Sequence, residues 1–223
     1  MCTIKSKYHE VVSKIPNHVK LVAISKYHPE DQILSVYEEG QRLFGESHVQ
    51  ELERKVKVLP SDIQWHFIGH LQTNKVKYIV PYISLIEAVD SVKLMREINK
   101  QAAKIDKVIN ILLELHIAEE ETKYGFSLDE CRQMLNDGEW KDMQNIRICG
   151  IMMMASNVDD EAQIRQEFSI AADFFDEIKH DYFADDACFS EKSWGMSHDY
   201  TIACEEGSTM VRIGTSIFGE RVY

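Results

Sequence analysis

The sequence predicts an α/β protein with a single-domain (β/α)8 barrel, the TIM-barrel architecture. Eight short apolar runs alternate with amphipathic stretches along 223 residues. Several runs are continuous rather than alternating, as expected of strands buried on both faces of a parallel sheet. Eight is also the strand count that closes such a barrel, and the chain length suits one. An open doubly wound sheet is the alternative. No Pro/Ser-rich linker, low-complexity segment or short repeat divides the chain. Residues 1–223 are therefore expected to form one domain, with 1–18 as an N-terminal helical extension.

The first run, KLVAIS (20–25), ends at Lys26; Pro29 then opens a helix in which Ile33, Leu34 and Tyr37 share a face, and Gly40 ends it. RLFGE (42–46) is the second run, and Ser47-x-x-Gln50 fits a capping box for the stripe Val49, Leu52, Val56. QWHFIG (64–69) and ISLIEAV (83–89) follow, then a helical stripe of Leu94, Ile98, Ala102 and Ile105. INILLELHI (109–117) is the fifth run, and the acidic AEEET (118–122) after it suits a solvated loop. Ser127-x-x-Glu130 caps a helix that closes near Gly138. IRICGIMMM (146–154) precedes a long stripe of Ile164, Phe168, Ala171, Phe175 and Ile178. A weaker stretch before SWGMS (193–197) and TMVRIG (209–214) complete the eight. The helical stripes are core-facing surfaces, and none signals a cofactor by itself.

Hydrophobic content of 44% and charged content of 28% suit a soluble protein with a sizeable core. A net charge of −12 argues against a general nucleic-acid binder, which must neutralise phosphates, and against an anionic membrane surface. Five cysteines without C-x-x-C spacing predict reduced thiols rather than a disulfide scaffold or a zinc site. The N-terminus carries no signal-like apolar run, and no stretch approaches the roughly 18 apolar residues of a membrane span. A cytoplasmic location is expected.

In such barrels chemistry sits at the carboxyl ends of the strands, and phosphate often binds near strands 7 and 8. The residues following the runs are Lys26; Glu46 and Ser47; Gly69 and His70; Asp90; His116; Met152 to Met154; Ser197; and Arg212, Gly214 and Thr215. Alone, Lys26 is as well explained as a solvated turn lysine, Ser197 as a cap for DYTIACEEG, and Gly214–Thr215 as a tight turn. Together they set a phosphate site opposite an amine that, once deprotonated, attacks an aldehyde. That combination points to pyridoxal 5′-phosphate (PLP), bound as a Schiff base on Lys26 with Arg212 near the pyridine nitrogen.

The chain resembles the pyridoxal phosphate homeostasis protein family, whose barrel is of the alanine racemase N-terminal type. AISK (23–26), FGESHVQE (44–51), WHFIGHLQTNK (65–75), KYGF (123–126), GIMMM (150–154), WGMSHD (194–199) and GSTMVRIGTSIFGER (207–221) carry the resemblance over nearly the whole chain. It implies that Lys26 carries PLP, that Ser197, Gly214 and Thr215 hold its phosphate, and that Arg212 faces the pyridine nitrogen. The family usually has asparagine where Ser47 stands, which puts any asparagine contact to the cofactor in doubt. His66 and Asn74 belong to a marked motif but are as well explained by core and loop roles, and Met152 to Met154 as packing. Lys123 is a second lysine near the expected mouth.

Arginine donates to a ring nitrogen and leaves it unprotonated, which weakens the ring as an electron sink. Alanine racemases share the barrel and the arginine but add a C-terminal β-domain and act as dimers. This chain ends at Tyr223, so that domain is expected to be lacking and the protein to be a monomer. The expected function is PLP homeostasis and delivery to apo PLP-dependent enzymes, without a catalytic residue or a metal. A weak amino-acid racemase is the alternative. A phosphate-binding barrel enzyme with Lys26 as acid/base is the third reading.

Overall fold

The computed structural model describes residues 3–117 and 124–220. Eight parallel strands close into a barrel in sequence order: β1 (Lys20–Ile24), β2 (Leu43–Glu46), β3 (Gln64–Phe67), β4 (Ile83–Val89), β5 (Ile109–Leu115), β6 (Ile146–Met153), β7 (Glu191–Ser193) and β8 (Met210–Ile213). Each lies within or beside its predicted apolar run. The ring closes where β1 pairs with β8, Lys20 opposite Met210 and Val22 opposite Arg212. An open sheet is thereby excluded.

The outer layer contains α1 (Ile4–Lys14), α2 (Glu30–Tyr37), α3 (Val49–Lys55), α4 (Val76–Ile79), α5 (Val92–Ala103), α6 (Leu128–Asp137), α7 (Glu161–Tyr182), α8 (Tyr200–Glu205) and α9 (Thr215–Phe218). α1 packs against α9 and α2. The Ser127–Glu130 capping box is formed, and α6 stops at Gly138, whose φ of 72° suits a residue without Cβ. The box expected at Ser47 is not: His48 caps α3 through its backbone alone, and Ser47 Oγ lies 3.1 Å from His48 Nδ1. Ile105, placed on the α5 stripe, falls just beyond the helix and is exposed. Of the α7 stripe, Ile164, Phe168, Ala171, Phe175 and Ile178 are all buried.

Two apolar layers result. One fills the space between the sheet and the helices. The other fills the barrel, with Val22, Ile24, Leu85, Leu112, Met152 and Met210. Side chains two residues apart on a strand share a face. Glu87 after Leu85, Glu114 after Leu112 and Arg212 after Met210 therefore enter the same interior, and all three are buried. No helix among the described residues is long and apolar enough to cross a membrane.

Candidate cofactor site at the carboxyl ends of the strands

The five residues expected at the site come together. Lys26, Ser197, Arg212, Gly214 and Thr215 line one open cavity of about 230 Å³ at the carboxyl ends of the strands, with Ile24, Ile68 and Met154 as its apolar wall. Lys26 lies in the turn two residues beyond β1. Ser197 lies in the loop between β7 and α8, Arg212 on β8, and Gly214 and Thr215 where β8 passes into α9.

Ser197 sits differently from its predicted role as the lead residue of α8. Asp199 is the residue before that helix, and its Oδ1 accepts the Met196 N–H at 2.5 Å. Ser197 Oγ turns instead to β8, accepting the Gly214 N–H at 3.3 Å and the Ser216 N–H at 3.4 Å. Both bonds are long, so two backbone donors converge on one loosely held oxygen. At Gly214 a Cβ would come within 3.2 Å of the Ile24 carbonyl. Glycine therefore lets the last strand close tightly on the first beside Lys26.

Arg212 is held from below. Nη1 donates to the Ser193 carbonyl at 2.7 Å and to Ser193 Oγ at 2.6 Å, and Nη2 donates to the Met153 carbonyl at 2.8 Å. Ser193 Oγ in turn donates to Glu87 Oε2 at 2.6 Å, and Glu87 Oε1 lies 2.7 Å from His66 Nδ1. Burial pulls Arg212 below its ordinary value, opposed by the charges of Glu87, Asp199 and Glu114. Burial alone would raise Glu87, but the hydrogen bond and charge of His66, together with Arg212, outweigh it and hold the carboxyl below its ordinary value. Three of the five guanidinium N–H groups are used in this grip. The remainder are left for the cavity that Arg212 lines.

Sequence reasoning missed the groups that hold the site. Glu87 and Glu114 each stand inside an apolar run, where a carboxylate in a buried strand was the available signal, and Glu46 was named only for its place at the end of the second run, without a role. Lys55 gave none, because Glu51 and Lys55 at i and i+4 resemble a surface ion pair; in the fold Lys55 is 0% exposed. His66 is buried beneath Arg212, and Asn74 lies in a 3₁₀ turn over Thr73–Lys75. Met154 lines the mouth, Met152 fills the barrel and Met153 packs outward. Ser47 lines a neighbouring cavity with His48 and His70 rather than that of Lys26. Lys123 and the acidic stretch 118–122 lie outside the described residues.

Fold and site together define a class, the (β/α)8 barrels of the alanine racemase type. The family described as alanine racemase, N-terminal domain, matches residues 2–222. An alanine racemase of Clostridium difficile shares the fold at 12% identity with a TM-score of 0.77, over 99% of this chain and 57% of that one. Within the class, the chain belongs to the pyridoxal phosphate homeostasis protein family. It is 36% identical over 208 residues to the pyridoxal phosphate homeostasis protein of Aquifex aeolicus, across 93% of this chain and 89% of that protein. PipY of Synechococcus elongatus PCC7942, whose structure was solved with PLP bound, superposes with a TM-score of 0.87 at 31% identity, over 97% of this chain and 100% of PipY.

Proposed function

We propose that this chain binds PLP at the mouth of the barrel, as a Schiff base on Lys26, and serves PLP homeostasis and delivery in the cytoplasm rather than turnover of amino acids. The observation that carries this reading is the shared cavity of Lys26, Arg212, Ser197, Gly214 and Thr215 in a relative of a PLP-bound protein. The residues fit the group. The Gly214 and Ser216 N–H groups with the Ser197 and Thr215 hydroxyls suit a phosphate. Ile24, Ile68 and Met154 suit a ring face, and Arg212 retains N–H groups for the ring nitrogen.

In this reading Lys26 Nζ, as the neutral amine, attacks the aldehyde carbon; a C=N bond forms and one water leaves. Bound PLP supplies electrophilic and electron-sink chemistry. Arg212 limits that chemistry, because a guanidinium fixed by Ser193 and Met153 donates to the nitrogen and does not protonate it. The cavity is open to solvent, which favours exchange of PLP with apo enzymes. Residues 1–223 act as one PLP-binding domain, with 1–18 as its helical extension, and the protein works as a monomer.

Absorbance titration with PLP, borohydride reduction and peptide mass analysis test the reading. Wild type becomes yellow and is labelled at Lys26; Lys26→Ala is not. A wild type that takes up no PLP, or is labelled elsewhere, sinks it. The racemase reading draws on the fold shared with alanine racemases. Lys26-dependent deuterium exchange at the α-carbon of alanine, with inversion, would favour it over the carrier.

A further inference from the structure

A second cavity, of about 370 Å³, opens at the opposite end of the barrel, where the strands begin. That volume lies in the range of small-molecule sites. Its lining includes Ser84, Asn110, Arg147 and the edge of His66. These polar groups are unspent. Among the described residues, no carboxylate pairs with Arg147, and the side chains of Ser84 and Asn110 make no hydrogen bond to protein. Lys20 and Glu191, also in the lining, are paired with each other.

His66 gives the cavity its direction. The residue is only 4% exposed. Its Nδ1 lies 2.7 Å from a Glu87 carboxylate that is itself gripped by Ser193. An ionised carboxylate only accepts, so Nδ1 carries the proton, and the ring in its neutral form presents Nε2 as an acceptor. Among the described residues nothing donates to Nε2, and the ring borders the cavity. An occupant with a donor would complete the imidazole's hydrogen bonding from the cavity side. The unpaired Arg147 guanidinium calls for an oxyanion on the same occupant.

We propose that this cavity is a second ligand site, for a small oxyanion that keeps one O–H, such as hydrogen phosphate or a hydroxycarboxylate. The O–H donates to His66 Nε2, the charged oxygens face Arg147, and Ser84 and Asn110 complete the polar shell. The same imidazole begins the chain His66–Glu87–Ser193–Arg212, so the two cavities share one hydrogen-bonded path along the barrel axis.

The test is a titration of the uniformly ¹⁵N-labelled chain, without added PLP, with inorganic phosphate, glycolate and sulfate. Sulfate matches phosphate in shape and charge but has no O–H at neutral pH. Phosphate or glycolate, or both, should shift the His66 ring nitrogens saturably, and which of them does so identifies the class of occupant. Sulfate should bind about tenfold more weakly or worse, and Arg147→Ala should weaken the binding ligand by a similar factor. Arg147 is exposed, so a melting curve like that of wild type is expected for the variant. The proposal is overturned if neither phosphate nor glycolate moves His66 saturably, if sulfate equals phosphate, or if Arg147→Ala binds like wild type. Phosphate at the mouth would shift the Gly214 amide without depending on Arg147, which keeps failure here distinct from failure of the PLP reading.

Discussion

Lys55 Nζ donates to the Ser25 carbonyl at 2.7 Å, placing a fully buried ammonium against the peptide that precedes Lys26. The same ammonium reaches Glu46 Oε1 and Glu51 Oε1, each at 2.7 Å, and Ser25 Oγ donates to Glu46 at 2.5 Å. Glu51 Oε1 also accepts the Tyr27 N–H at 2.7 Å. One ion cluster thus holds the chain on both sides of Lys26. Tyr27 stands at φ 67°, a left-handed conformation that costs a non-glycine residue about 1–2 kcal/mol. The bond from its N–H to Glu51 helps to offset that cost.

Lys55→Met should therefore be severely destabilising. Removing one partner of a buried ion pair leaves the other charge uncompensated, at about 3–5 kcal/mol. Glu51→Gln should cost less, since a glutamine carbonyl still accepts from Tyr27 N–H and Glu51 is partly exposed. Urea unfolding checks both, and equal midpoints for wild type and Lys55→Met would contradict the clamp. In the PLP titration, Glu51→Gln should capture PLP on Lys26 more slowly than wild type.

The grip on Arg212 changes which substitution can probe it. The arginine's effect on ring protonation suggests Arg212→Glu as a test. In the fold that change sets a second carboxylate beside Glu87, whose Oε2 is 3.7 Å from Arg212 Nη1, and it should prevent folding. Ser193→Ala is the readable variant. It removes the hydroxyl between Glu87 and Arg212 but keeps the Ser193 carbonyl that Nη1 also uses. It should cost about 1–3 kcal/mol, the penalty of an acceptor left without its donor. It should also shift the absorbance band of bound PLP. An unchanged band would remove Ser193 from the support of Arg212.

The barrel was legible in the sequence because its signal is repeated eight times, and ISLIEAV coincides with β4 residue for residue. That Lys26, Ser197, Arg212, Gly214 and Thr215 would line one cavity was legible because strand ends share one mouth. The supporting shell was not. Hydrophobic periodicity reports which face is buried, but not that Glu87 meets Ser193, 106 residues away. The capping box at Ser47 failed for a related reason. Local spacing allowed it, yet His48, whose ring lies tilted against that of Tyr27, became the cap residue instead.

Gly150→Ala should disrupt the barrel locally. Gly150 has φ 154°, and an added Cβ would lie 1.9 Å from the Glu191 carbonyl oxygen, which is backbone and has little room to yield. The residue sits at the register shift between Ile111 and Leu112 and faces Glu191 across β6 and β7. β7 is only three residues long, so losing this contact endangers its pairing. A loss above about 3 kcal/mol is expected, beyond the usual range for single substitutions. Thermal unfolding measures it, and a melting temperature within a degree or two of wild type would show that the strands shift to admit the methyl.

Glu114 makes stability depend on pH in a direction opposite to most carboxylates. Its side chain lies inside the barrel, and Oε2 is buried without a hydrogen-bond partner among the described residues. Burial, reinforced by the charge of Asp90 and opposed by Arg212, pushes its pKa up to about 7. In the unfolded chain a glutamate titrates near about 4.3. Between these values the folded state holds the extra proton, so stability falls as pH rises through the window. The contribution is fully present below the unfolded value and lost above about 7. Its depth is of order 3–4 kcal/mol. Glu114→Gln keeps the shape and removes the titration. The variant and wild type should unfold at nearly the same urea concentration at about pH 4, and the variant should gain on wild type steadily up to about pH 8. Midpoints that stay parallel across that range would mean that Glu114 is ionised inside the barrel throughout, with Arg212 outweighing its burial.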